Sequence, residues 1–212
     1  RLRLTHPVVS AGRDADGSWD MASLIRRDPN RPDRTTPRRP IRIEVLQVDD
    51  ADVTLRTPVS VGAARLPSRF TGLDAELRIS SGPTGWTLDV SRAAFSGTAP
   101  DLHVARLTGL IGNTDAGWQF NRLHVETDRS DLTVTGTTDR QASPSTVSLT
   151  VSAPRLAFQE WAGVLGGLRN IAVETALEAT LDGPASALST ELTLRSTGGD
   201  IRATVQLDSS VP

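Results

Sequence analysis

The chain has 212 residues, 23 basic and 25 acidic, with a formal net charge of -2 and no cysteine. Disulfides, thiol catalysis, zinc–thiolate sites and iron–sulfur clusters are therefore excluded, and near-neutrality gives no basic surface on which nucleic acid would be expected. Every basic residue is arginine, which excludes lysine Schiff-base and lysine general-base chemistry and fits a GC-rich coding bias. Aromatic residues make up only 4% and tyrosine is absent, so the apolar side chains are mostly Val, Leu, Ile and Ala. No run of about 18 apolar residues exists that would span a bilayer as a helix.

The sequence opens mid-pattern on Arg1-Leu2-Arg3-Leu4 without an initiator Met, and reads as a piece of something longer. Pro7 disfavours helical backbone at His6, so a strand bend is expected there. Asp16-Gly17-Ser18-Trp19-Asp20 is a turn signal. After it, Met21, Leu24 and Ile25 stand at helical spacing in a short segment, Met21 to Arg26. Asp14, Asp16 and Asp20 around Gly17 loosely resemble a calcium loop, but the spacing fails and no bidentate Glu closes it. Arg26 to Pro40 holds six arginines and four prolines and no other apolar residue. It reads as an exposed, extended linker, with a basic strip near anionic lipid headgroups as the functional alternative. The expected organisation is thus an N-terminal strand, short helix and Arg/Pro-rich linker over 1–40, then repeated amphipathic strands over 41–212.

From residue 41 onward the apolar period is two. Ile43–Val48 and Val53–Leu55 read as strands, with Asp49-Asp50-Ala51-Asp52 as a hairpin turn between them. Leu73, Ala75, Leu77 and Ile79 alternate with Asp74, Glu76, Arg78 and Ser80. The same alternation carries Trp86, Leu88 and Val90, then Leu123 and Val125, Leu132 and Val134, and Val147, Leu149 and Val151. A longer strand is expected over Ile171, Val173, Thr175, Leu177, Ala179 and Leu181, followed by Leu192 and Leu194, then Ile201 to Leu207. Each segment has one apolar and one Thr/Ser-rich polar face. Turn signals such as Ser81-Gly82-Pro83, Asp182-Gly183-Pro184 and Thr197-Gly198-Gly199-Asp200 separate them, as in antiparallel meanders. A second helix is expected from Arg155, after Pro154, with Phe158, Trp161, Leu165 and Leu168 on one face and Gly166-Gly167 ending it. Both helices are short enough to persist only by packing on a sheet, as lids or corner plugs. Gly85-Trp86-Thr87-Leu88 and Gly117-Trp118-Gln119-Phe120 look like drifted copies of one turn-then-strand unit.

Catalytic chemistry is hard to place. No Gly-x-Ser-x-Gly elbow or phosphate-binding Gly loop is present. His124 and Glu126 could share one strand face as metal ligands, but they read far better as outward-facing polar residues of a strand. No enzyme activity, cofactor or metal is expected.

Two stretches carry a resemblance. One is Leu2-Arg3-Leu4-Thr5-His6-Pro7-Val8-Val9 followed by Asp16-Gly17-Ser18-Trp19-Asp20-Met21-Ala22-Ser23-Leu24. The other is Ile41 to Leu55, read as strand, turn, strand. Their order resembles the N-terminal part of the AsmA-like family of bacterial envelope proteins, which includes TamB-type members. Asp20 stands where that family usually has Asn, and Asp50-Ala51 where its turn usually carries Gly. The resemblance implies a periplasmic protein of diderm bacteria, held to the inner membrane by an anchor helix outside this chain. It further implies a long curled sheet that conducts phospholipid or assists outer-membrane assembly, with a possible outer-membrane partner protein.

The residues support a similar expectation on their own. An amphipathic sheet must cover its apolar face with helices, another sheet, itself or a ligand, and two short helices cannot cover a dozen strands. The expected fold is all-β with two short helices, an extended, curled antiparallel sheet forming an apolar groove for phospholipid acyl chains. Its lining candidates are Leu73, Leu77, Ile79, Leu88, Leu123, Val125, Leu132, Val134, Leu149, Val173 and Leu177. The competing expectation is a β-sandwich or solenoid with a dry core, acting as an adhesion or structural module.

Overall fold

The computed structural model describes residues 1–12, 40–61 and 64–207. They form one open, curled, mixed sheet of twelve strands. The strands are β1 (Leu2–Thr5), β2 (Val8–Ala11), β3 (Ile41–Leu55), β6 (Arg69–Gly82), β7 (Gly85–Thr98), β8 (Leu102–Thr114) and β9 (Trp118–Thr127), then β10 (Asp131–Asp139), β11 (Thr146–Ala157), β12 (Glu174–Pro184), β13 (Leu188–Ser196) and β14 (Gly199–Leu207). A separate two-stranded ribbon joins β4 (Ser60–Val61) to β5 (Ala64–Arg65). From β6 to β14 each strand pairs antiparallel with the next, while β3 pairs antiparallel with β6. The all-β expectation is met, for the reason the alternation gave: side chains two apart share a face.

The first edge departs from an antiparallel meander. β1 and β2 both lie parallel to β3, Leu2 opposite Leu46 and Val8 opposite Asp52. They behave as one interrupted strand, broken at His6, whose φ of 51° makes the expected bend. Asp49–Asp52 is not a hairpin turn. β3 runs through it to Leu55, because β6 supplies a ladder along its whole length. The acidic cluster instead builds a bulge: Asp50 takes φ 53°, and its amide donates to Asp74 Oδ1 at 2.9 Å rather than to the ladder. Asp tolerates this left-handed backbone better than most residues. His6 N donates to the Asp49 carbonyl and Asp52 N to the Pro7 carbonyl, so the two irregularities fit each other.

The second helix is also shorter and later than the spacing suggests. β11 continues through Pro154 and Arg155 to Ala157, the helix α1 is only Phe158–Trp161, and a single 3-10 turn follows at Gly166–Leu168. Pro154 is tolerated inside a strand because the registers of β11 with β10 and with β12 both jump there, so no ladder bond needs its missing N–H. The long strand expected from Ile171 begins only at Glu174. The turn after Asp14, the Met21 helix and nearly all of the Arg/Pro linker lie outside the described residues.

Irregularity is unevenly distributed. The β3–β6 ladder shifts register at three places, and the β6–β7, β7–β8 and β8–β9 ladders at two each. The β9–β10, β10–β11 and β11–β12 ladders shift once each, and β12–β13 and β13–β14 not at all. Bulges add local twist and bend the bulged strand. Curl is therefore concentrated in the first half of the sheet. Gly109 (φ 115°) and Gly136 (φ 143°) sit at two of these irregularities, where a Cβ would collide with the carbonyl oxygens of Arg122 and Ser148.

Candidate functional site

The register places one apolar face across the sheet. One row runs Ile43, Ile79, Leu88, Ile111, Phe120, Gly136, Leu149 and Leu181 from β3 to β12. A second row passes through Leu46, Leu77 and Val90 in the first half and Val134, Val151, Ala179, Leu192 and Ala203 in the second. The opposite face is charged and hydroxylated, as in the Arg78–Asp89 ion pair at 3.2 Å between β6 and β7. Ten of the eleven lining candidates fall on the apolar face. Val173 does not: it precedes β12 and is 47% exposed. The alternation ran on into Ile171 and Val173 because a loop can repeat a strand's period by chance.

Burial on this face falls off only toward the last strand. In the first half Ala75, Val90 and Ala93 are buried, with Val48, Leu73, Leu77, Leu88 and Leu107 packed partly buried around them. In the second half Ala153 and Leu188 are buried as well, Leu149, Leu181, Leu192 and Leu194 are half-buried like Leu77 and Leu88, and the last strand leaves Ile201 59% and Val205 43% exposed. Thr190 is the polar intruder there, opposite Leu181, with a buried hydroxyl that has no partner among the described residues.

The two ends of the strands also differ. At one end the segment after β11 crosses from strand to strand. Glu160 on α1 accepts from Thr127 Oγ1 (2.7 Å), Ser130 Oγ (2.6 Å) and the Arg129 amide (3.2 Å) in the β9–β10 turn. Ser130 Oγ also accepts from the Ala157 amide and from Trp161 Nε1, both at 3.1 Å. That hydroxyl thus uses its one donor and both acceptor sites, which is why a fully buried serine is stable there. Farther along, Gly163 packs against Pro100 in the β7–β8 turn, Leu165 bridges to Ala64, and the Val164 carbonyl accepts from the Arg65 amide. This segment caps the strand ends with one short helix and an extended strap; Leu165 and Leu168 lie beyond the helix rather than on one helical face with Phe158 and Trp161.

The other end has no such strap among the described residues and presents rings instead. Trp86 and Trp118 meet edge-to-face at 5.8 Å, and Phe120 stacks on Trp118 at 6.3 Å. Both tryptophans are about one-third exposed. The likeness of Gly85-Trp86 to Gly117-Trp118 was the sequence signal for this pair: each Gly takes positive φ and each Trp faces Asn113 across the ladder. The Ser130–Glu160 cluster left no such signal, since single Ser, Thr and Glu residues in turns are common.

His124 Nε2 bonds Asp131 Oδ1 at 2.8 Å, and among the described residues no three His, Asp or Glu side chains gather as metal ligands. The Arg3 guanidinium, bonded to Asp49 at 2.7 Å, holds that carboxyl below its ordinary value, helped by the Gln47 amide and opposed by partial desolvation. No family model, curated protein or solved structure matches the chain.

Proposed function

We propose that this chain is a section of a groove that shields phospholipid acyl chains from water, for lipid transport between membranes or outer-membrane assembly. The observation that carries the reading is the single apolar face running from β3 to β14, whose larger side chains are mostly half-buried and which is open at Ile201 and Val205 on the last strand. Two acyl chains carry on the order of 30 methylenes, and each is worth about 0.8 kcal/mol on leaving water. An aliphatic wall removes most of that cost without directional contacts. The reading needs no catalytic group. The resemblance to AsmA-like proteins adds the proposed setting: the periplasm, an inner-membrane anchor outside this chain, and an outer-membrane partner.

The dry-module reading draws its support from the buried Ala75–Val90–Ala93 cluster, which has the burial of an ordinary core. Native mass spectrometry followed by lipid extraction separates the two. Near-stoichiometric phospholipid is the expected result. In a Leu181→Asp, Leu192→Asp variant the lipid should disappear while the strand circular-dichroism signal persists. A lipid-free monomer with a cooperative melt would instead favour the dry module.

A further inference from the structure

The end of the sheet that presents the rings also carries charge. A shallow, open surface depression of about 410 Å³ beside Trp86 is lined by Gly85, Trp86, Asn113, Thr114, Asp115 and Arg140. Arg140 follows β10, yet its guanidinium Nη2 donates to Asn113 Oδ1 on β8 at 2.6 Å, while its amide donates to the Ala116 carbonyl. Asn113 lies opposite both Trp86 and Trp118, so this bond brings the guanidinium to the rim of the apolar face. Asp115 is held by its amide, which donates to the Thr84 carbonyl at 3.0 Å. Among the described residues neither Arg140 nor Asp115 forms an ion pair, with each other or with another side chain. Two opposite charges therefore line one depression without touching.

We propose that this depression receives the head of a zwitterionic phospholipid. The phosphate ester sits on the Arg140 guanidinium, whose fork suits phosphate oxygens. The ammonium lies by the Asp115 carboxylate and the Trp86 ring, which attracts a cation through its π face. The acyl chains run inward from Trp86 over Leu88 and Phe120. A purely anionic head would meet the Asp115 charge, and a purely cationic one the Arg140 charge. The opposite ends of these strands are crossed by the 158–173 strap, so a head anchored at a strand end belongs at this one. The inference rests on the acyl-chain reading above and adds the lipid class and the position of its head.

The test is calorimetric titration of the full chain with four probes: dioctanoyl phosphatidylethanolamine, dioctanoyl phosphatidylglycerol, dioctanoylglycerol, and glycerophosphoethanolamine without chains. Phosphatidylethanolamine should bind about tenfold tighter than dioctanoylglycerol, and several-fold tighter than phosphatidylglycerol. Arg140→Gln should erase the preference over dioctanoylglycerol, with Arg140→Lys retaining part of it. Asp115→Asn should raise phosphatidylglycerol to the level of phosphatidylethanolamine. Both residues are exposed, and strand circular dichroism verifies that the variants fold. Equal affinity for the three lipids, or no change in the variants, overturns the head site and leaves the groove standing. Binding of glycerophosphoethanolamine as tight as the lipid overturns it in favour of a small-molecule site. Binding of none of the lipids by the parent chain removes the groove reading and the head site together.

Discussion

β3 to β8 and β11 to β14 are built from the same alternating pattern but make different surfaces. In the first region, seven of nine ladder irregularities up to β9 belong to ladders made wholly within β3–β8, three in β3–β6 and two each in β6–β7 and β7–β8. There Val90 and Val104 are almost fully buried. In the second, the β12–β13 and β13–β14 ladders are regular, Ala153 and Leu188 are still buried, and Ile201 and Val205 on the last strand are accessible. The difference teaches that position in the sheet, more than the hydrophobicity of a strand, decides how far this face is covered: the terminal strand β14 keeps Ile201 and Val205 exposed although its alternation matches that of its neighbours.

Breaking the bends should have the largest effect. Gly109→Val forces a left-handed backbone and a clash with the Arg122 carbonyl, so a loss of about 3 kcal/mol or more is expected in urea unfolding. Gly199, at φ 132° but with open space around its Cβ position, is the matched control on the last strand, and Gly199→Val should cost clearly less, about 1–2 kcal/mol. Next comes the packing contrast. Val90→Ala should cost about 2 kcal/mol, and Leu192→Ala less although it removes a larger side chain, because its site is already partly open. Equal losses at the two sites would show that both halves are dry core.

Ser130→Ala tests the strap. It leaves the Ala157 amide and Trp161 Nε1 without their acceptor, at a cost of about 1–2 kcal/mol, and should speed hydrogen exchange across 157–165 without affecting β12 to β14. The smallest effect is electrostatic. Asp49 has a depressed pKa in the folded chain, so its pairing with Arg3 contributes fully above the unfolded value and is lost as pH falls through the folded one. The parent chain should therefore lose slightly more stability than Asp49→Asn between neutral pH and pH 3, read from melting temperatures at low salt. An identical pH slope for the two would remove Asp49 from the account of the first edge.

Most strands were legible because alternation is a local property, and for the same reason ten of the eleven named positions fall on the apolar face. What escaped depended on pairing. Asp49–Asp52 has turn composition, but only the ladder to β6 makes it a bulge within one strand. Pro154 marked a helix start by local rules, and only a coincidence of two register jumps keeps it in β11. The parallel docking of β1 and β2 could not be read at all, because period two is the same for either direction. The Arg140–Asn113 contact spans β9, and no spacing along the chain announces it.

The oxygen of Ser130 has one further consequence. It is a junction of three separate stretches: the β9–β10 turn that carries it, the last residue of β11, and the face of α1. Until that turn exists there is nothing for the later segment to grip. Because its bonds join residues about thirty apart, the strap is expected to dock after the β9–β10 hairpin, with the Ser130 hydroxyl as the point where it attaches, and in pulsed hydrogen exchange protection of 157–165 should lag that of β9 and β10.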